Sequence, residues 1–171
     1  MNLDEAIKTA IEFENKVEQS YREAVTKATD PVGKKVFETL ANEEKGHIAY
    51  LESRLAEWKQ SGKVNAEALD TVIPSQARIE KGVAAMKAQL GERREMSTVE
   101  LQMLQQALEA EQRTSGFYKR MVSELGAEGQ QLFARFVEIE EGHVAIVQAE
   151  IDSVQGLGYW FDFQEWQFQD G

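Results

Sequence analysis

The chain has 171 residues, no cysteine and a net charge of −11. That length suits one domain with a proper core, and the missing cysteine excludes disulfides, thiolate zinc sites and iron–sulfur clusters. The acidic balance argues against nucleic acid and anionic membrane as partners, because both need a basic face. No apolar run approaches the roughly eighteen residues of a membrane span. The start, Met1 to Ala6, lacks the basic and then apolar regions of a signal peptide, so a soluble, cytoplasmic protein is expected. Two prolines and abundant Ala, Glu, Gln, Lys and Leu favour helix.

Four long helical segments follow in chain order. The first covers residues 2–29. Asp30-Pro31 then reads as an N-cap with proline at the first helical position. The second segment covers 31–60, and Gly62 is its expected stop. The third, 97–125, opens on Ser97-Thr98-Val99-Glu100, which has capping-box spacing. The fourth covers 127–155, ended by Gly156 and Gly158. The first and second connections of hairpin type are short, which forces antiparallel neighbours. The connection over 62–96 is long and carries a helical stretch over 75–90. It is expected to run back along the bundle, so that the third segment starts at the same end as the first. The expected fold is all-α, a ferritin-like antiparallel four-helix bundle with one long crossover. Residues 1–156 form this bundle. Residues 157–171 form a tail rich in aromatics, including Tyr159, Trp160, Phe161, Phe163, Trp166 and Phe168, that packs on the bundle or on a dimer partner.

The two hairpins repeat one another. Glu14-x6-Tyr21 matches Glu111-x6-Tyr118, and Glu44-x-Gly46-His47 matches Glu140-x-Gly142-His143. The glutamates, histidines and tyrosines among these fall on their segments' three-four stripes, for example Phe133, Phe136, Glu140, His143, Val147 and Glu150 in the fourth. Residues so spaced face the bundle interior. Glu150 is expected to be solvated near the bundle end. Glu14, Glu44, Glu111 and Glu140 each lie roughly 20–24 Å along the helix from their hairpin turn, at about 1.5 Å of rise per residue, so all four reach one layer. The i, i+3 spacing keeps each Glu and His on one face.

Four buried carboxylates need compensation, since an unpaired buried ion costs several kcal/mol. No inward Lys or Arg is expected near this layer. Two divalent ions would balance the four carboxylates, with two imidazoles completing the set. The expected metal ligands are therefore Glu14, Glu44, His47, Glu111, Glu140 and His143, the arrangement of di-iron carboxylate proteins. Iron or manganese suits this oxygen-rich set better than zinc. Gly46 and Gly142 suggest close helix approach, although duplication alone would also copy them. Tyr21 and Tyr118 are candidates to hydrogen-bond a ligand carboxylate, or to serve as core tyrosines bonded to another buried acceptor.

Through these residues the chain resembles the rubrerythrin branch of the ferritin-like superfamily. The resemblance implies a non-haem centre of two iron ions, with manganese or mixed metal as alternatives, that reacts with hydrogen peroxide or dioxygen, often in a homodimer. Two departures bear on the reaction. The four-cysteine rubredoxin-like domain common in that family has no counterpart in this sequence, so an external electron donor such as a rubredoxin is implied. Thr114 stands where the family carries an extra carboxylate, one turn after Glu111. A peroxide-reducing oxidoreductase is the leading expectation, with oxidation of Fe²⁺ by dioxygen as its rival. A non-catalytic metal-binding or scaffold protein is the third.

Overall fold

The computed structural model describes residues 1–65, 69–86 and 97–155, with backbone alone for 83–86. The described residues form α1 (Leu3–Lys27), α2 (Pro31–Ser61), α3 (Gln76–Met86), α4 (Thr98–Glu124) and α5 (Ala127–Val154). The architecture is an all-helical bundle of ferritin-like type. None of the described helices is long and apolar enough to cross a membrane. The expected aromatic tail and the crossover stretch 87–96 lie outside the described residues.

Local chemistry sets the helix ends. Asn2 and Glu5 form a capping box that opens α1. The Asp30 side chain accepts from the Gly33 N–H at 2.6 Å, with Pro31 first in α2. Ser97 and Glu100 form the capping box of α4. Each such cap contributes on the order of 1 kcal/mol. Gly62 ends α2 at φ 67°, a left-handed conformation that glycine adopts without a Cβ clash.

The short turns pair α1 with α2 and α4 with α5, α1 packs on α4, and α3 packs along α5. One topological expectation is overturned. Near the start of α4, Glu100 accepts hydrogen bonds from the N–H groups of Thr29 and Asp30, at 2.5 and 2.8 Å, so α4 begins where α1 ends. The physical reason is direction. Helix α2 descends the bundle, and a connection that climbs back delivers α4 beside the α1–α2 turn. The two hairpin turns therefore sit at opposite ends. The four glutamates still share a layer, because that layer lies near mid-length of each helix.

Two apolar clusters flank the layer. One holds Val17, Val36, Phe37, Leu40, Leu104 and Val147 among others. The other holds Ile7, Leu51, Phe117, Met121, Phe133 and Phe136 among others. Burying each such large side chain contributes about 1.5–3 kcal/mol, which offsets the polar layer between them. Glu150 departs from expectation: it is fully buried. Helix α3 lies against α5 there, with Ile79, Ala149 and Ile151 in one cluster, and adds a layer that a four-helix count leaves out.

The matched glycines also differ. A Cβ on Gly142 would meet the Pro74 carbonyl oxygen at 2.8 Å, so the crossover backbone needs a glycine there. A Cβ on Gly46 would meet nothing within 4 Å among the described residues. The close approach is thus between helix and crossover, at one glycine of the two. Gly142→Ala should destabilise by about 1–3 kcal/mol through overpacking. Gly46→Ala should stabilise by up to about 1 kcal/mol through helix propensity. Opposite shifts of the two thermal midpoints check this.

Candidate metal centre

All six side chains expected to face inward do so. Glu14, Glu44, Glu111, Glu140 and His143 are fully buried and His47 is 1% exposed. The bundle brings them together in two sets. One ligand atom each from Glu14, Glu44, His47 and Glu140 lies within 4.8 Å of the others, and so does one each from Glu44, Glu111, Glu140 and His143. Glu44 and Glu140 belong to both sets. The imidazoles stack with ring centroids 5.3 Å apart and 12° between planes. Both turn Nδ1 toward carboxylate: His47 Nδ1 is 3.0 Å from Glu44 Oε2, and His143 Nδ1 is 2.8 Å from Glu44 Oε1.

The donor atoms fit a metal better than they fit one another. His143 Nδ1 and Glu44 Oε1 are close, yet neither has a hydrogen-bond partner. Both oxygens of Glu140, Glu14 Oε2 and Glu111 Oε2 are likewise buried without one. Buried polar atoms are ordinarily paired, so a cluster of converging, unpaired oxygens and imidazole nitrogens is a ligand set for hard to borderline cations. Four carboxylates and two imidazoles carry the right charge and donor chemistry for two divalent ions.

The tyrosines hold the outer lobes of this set crosswise. The Tyr21 hydroxyl donates to Glu111 Oε1, and the Tyr118 hydroxyl donates to Glu14 Oε1. Each tyrosine thus serves the glutamate of the opposite hairpin, and because α1 runs antiparallel to α4 the two tyrosines lie on opposite sides of the glutamate layer, Tyr21 in one apolar cluster and Tyr118 in the other. Burial, and next the charge of Glu111 or Glu14, push the two phenols well above their usual range, so they remain proton donors. Thr114 is buried in α4, and its hydroxyl donates to the Ala110 carbonyl at 3.1 Å.

Electrostatics separate the ligands. Glu14 is pushed up to about 8, first by burial and then by the charge of Glu44. Glu140 is pushed well above the carboxylate range by burial, then by Glu14, Glu111 and Glu44. Burial would raise Glu44 too, but the charges of His47 and His143 outweigh it and hold Glu44 well below that range. Burial alone would lower both imidazoles. The Glu44 charge leads the contributions that reverse this, bringing His47 to about 10 and His143 well above its usual value. Without metal, protons on Glu14, Glu140 and both imidazoles balance the centre. Metal must displace them. Loading with two divalent ions should release on the order of 2–4 protons per chain, and affinity should rise as pH rises toward 8 and Glu14 gives up its proton. Calorimetry in two buffers of different ionisation heat measures the release, and equal heats in both would contradict it.

Glu43 is a polar neighbour that the periodicity missed. It lies one residue off the inward stripe, where a charged side chain reads as solvated. In the fold it is partly buried, 4.0 Å from His143 Nε2. The Thr71 hydroxyl and, at 3.3 Å, the Val72 N–H donate to its carboxylate. Burial would raise Glu43, yet His143, Thr71 and Val72 together lower it. Its only sequence signal is the doubled acid Glu43-Glu44, which is common on helix surfaces.

Comparison with known families agrees with this geometry over part of the chain. Residues 1–55 match the family model described as Rubrerythrin. That stretch contains Glu14, Tyr21, Glu44 and His47. No curated protein and no solved structure matches the chain. The first hairpin is thus similar to the Rubrerythrin family, the same side-chain pattern repeats in the second hairpin, and the buried glutamates and histidines of this helical bundle can hold metal.

Proposed function

We propose that the protein is a non-haem di-iron oxidoreductase that reduces hydrogen peroxide, with electrons from an external donor such as a rubredoxin. The observation that carries this reading is the sharing of Glu44 and Glu140 between the two ligand sets. Ions held by sets with two ligands in common are close neighbours. When bound, two such redox-active ions supply the two electrons that cleavage of an O–O bond consumes. Glu14 and His47 would hold one ion, and Glu111 and His143 the other, with Glu44 and Glu140 serving both. Manganese or a mixed pair would suit the same donors.

The remaining residues prepare the centre. Tyr21 and Tyr118 orient Glu111 and Glu14 through their hydroxyl hydrogen bonds. Phe136 packs edge-on to His47 at 5.5 Å between centroids and helps exclude water from the imidazole. Peroxide reduction takes up two electrons and two protons and yields two waters. The protein is proposed to work in the cytoplasm as a homodimer.

Rapid mixing of the anaerobically reduced, iron-loaded protein tests the reaction. Peroxide should oxidise the iron faster than dioxygen at equal concentration. Equal or slower oxidation by peroxide rules out the peroxidase reading.

A second reading, oxidation of Fe²⁺ by dioxygen, is favoured by Thr114. Its hydroxyl is engaged by Ala110 and offers no extra carboxylate. Sustained turnover with added Fe²⁺, with release of Fe³⁺ from the site, supports it. A third reading is a metal-binding or scaffold protein without catalysis. Fewer than about one metal per chain in protein purified without chelator, with the fold intact, supports that one.

A further inference from the structure

We propose that a cavity where α3, α4 and α5 meet takes the organic group of an alkyl hydroperoxide, with Ser115 and Val144 between it and the glutamate layer. The inference rests on the peroxidase reading above and names a substrate class for it.

The cavity measures about 670 Å³. Small-molecule sites occupy about 300–1,000 Å³, and hydrogen peroxide, with two heavy atoms, needs little of that. The floor is apolar. Ile79 of α3 and Ala149 of α5 are buried there, with Val144 and Ala145 partly buried beside them. The rim is polar and includes Gln112, Gln148 and the Lys119–Glu141 ion pair at 3.0 Å. Glu80, Glu141 and Asp152 outnumber Lys119 around it, so an anionic ligand is repelled. This lining suits a neutral, largely apolar group with one polar end.

The cavity adjoins the ligand layer. Ser115 and Val144 line it, one turn after Glu111 and Glu140 respectively. A helical side chain covers the turn N-terminal to its own Cα, so these two lie over the turns that carry Glu111 and Glu140. Both glutamates belong to one ligand set, with Glu44 and His143. Ser115 is buried, and its short side chain leaves little bulk between cavity and ligand. The matching seam of the first hairpin is filled instead. The residues 97 positions before Ser115 and Gly116 are Glu18 and Gln19. Arg22 pairs with Glu18 at 2.8 Å and donates across the α1–α2 seam to Asn42 at 3.0 Å. Ser115 and Gly116 leave the α4–α5 seam open. An alkyl hydroperoxide rests its organic group on the apolar floor and directs its O–O group past Ser115. Its reduction breaks the O–O bond, takes up two protons and two electrons from the external donor, and gives an alcohol and water.

Gly116 supplies the test. A Cβ there would meet nothing within 4 Å among the described residues. Gly116→Leu therefore adds bulk at the cavity without overpacking and improves helix propensity. Gly116→Ala changes propensity with little bulk and is the control. Equilibrium dialysis of the full-length protein against cumyl alcohol, the reduction product of cumene hydroperoxide, reads binding without turnover. Wild type and Gly116→Ala should retain the alcohol saturably, and Gly116→Leu should bind it about tenfold or more weaker. In rapid mixing of the reduced, iron-loaded protein, Gly116→Leu should slow oxidation by cumene hydroperoxide about tenfold or more and leave oxidation by hydrogen peroxide within about threefold. Circular dichroism verifies the fold of each variant. No saturable retention by the wild type, or equal slowing of the two peroxides, overturns the inference. Oxidation by hydrogen peroxide but not by cumene hydroperoxide brings down this inference alone. Oxidation by neither brings down the peroxidase reading with it.

Discussion

Replacing Glu140 with alanine is expected to remove both metal ions from the protein, whereas replacing Glu14 or Glu111 removes one. Glu44 and Glu140 are the carboxylates common to the two ligand sets, and Glu14 and Glu111 belong to one each. Loss of a shared ligand leaves each set with three donors and exposes each ion to the other's charge with less anion between them. Even a partner outside the ligand set changes metal affinity about 10–100-fold, so a lost direct ligand should exceed that. Glu140 is the cleaner of the two shared positions. Without metal it is held protonated by burial and its acidic neighbours, so its removal leaves no uncompensated charge. Glu44 is the ionised partner of both imidazoles. Its removal would disturb the metal-free fold as well, and breaking a buried ion pair costs about 3–5 kcal/mol where the remaining charge cannot neutralise. Elemental analysis after anaerobic loading with Fe²⁺ and desalting gives the readout. Near-complete retention of two ions by Glu140→Ala would contradict the sharing.

The second large effect lies at the end of the bundle. Glu100→Ala is expected to lower the unfolding free energy by about 2–4 kcal/mol, because charge-assisted hydrogen bonds and the burial of their orphaned donors are both involved. Glu100 is 1% exposed and accepts from the Thr29 N–H, the Thr29 hydroxyl at 3.0 Å, the Asp30 N–H and the Ser97 hydroxyl at 2.6 Å. It also completes the α4 capping box and places negative charge at that helix's N-terminus. One carboxylate thus fastens the α1–α2 turn to the start of α4. Burial would raise its pKa, but the Ser97, Asp30 and Thr29 donors prevail and bring it from 4.5 to about 2. The folded protein keeps Glu100 ionised where the unfolded chain is already protonated. Its contribution is complete above pH 4.5 and is lost as pH falls toward 2. Urea unfolding at pH 6 and pH 3 should show the gap between wild type and Glu100→Ala narrowing at the lower pH. A constant gap would mean that the carboxylate charge is not what holds the turn.

Much of this was legible along the chain. The caps at Asp30, Ser97 and Gly62 and the inward stripe carrying Glu14, Glu44, His47, Glu111, Glu140 and His143 are patterns of residues one to four apart. Helix geometry converts such spacing directly into direction, so side chains of one helix can be assigned a face without knowing its neighbours. The internal repeat then multiplied a weak Glu-x-x-His signal into a six-residue centre.

What escaped lay between elements. The end at which α4 begins depends on how α1 and α4 pack, and no local spacing encodes that. Once it is known, the placing of Tyr21 and Tyr118 on opposite sides of the glutamate layer and the long-range role of Glu100 follow together. The stripe of the fourth helical segment alone leaves Glu150 at a solvated bundle end, and nothing in the second singles out Glu43; each has its surroundings decided by the crossover: α3 covers the region of Glu150, and Thr71 and Val72 hold Glu43 near His143. The two glycines look identical in the repeat and differ because Pro74 reaches only Gly142. Periodicity specifies which face of a helix is buried. The partner that buries it comes from chain tens of residues away, and that contact separates two halves of the bundle that the repeat makes look alike.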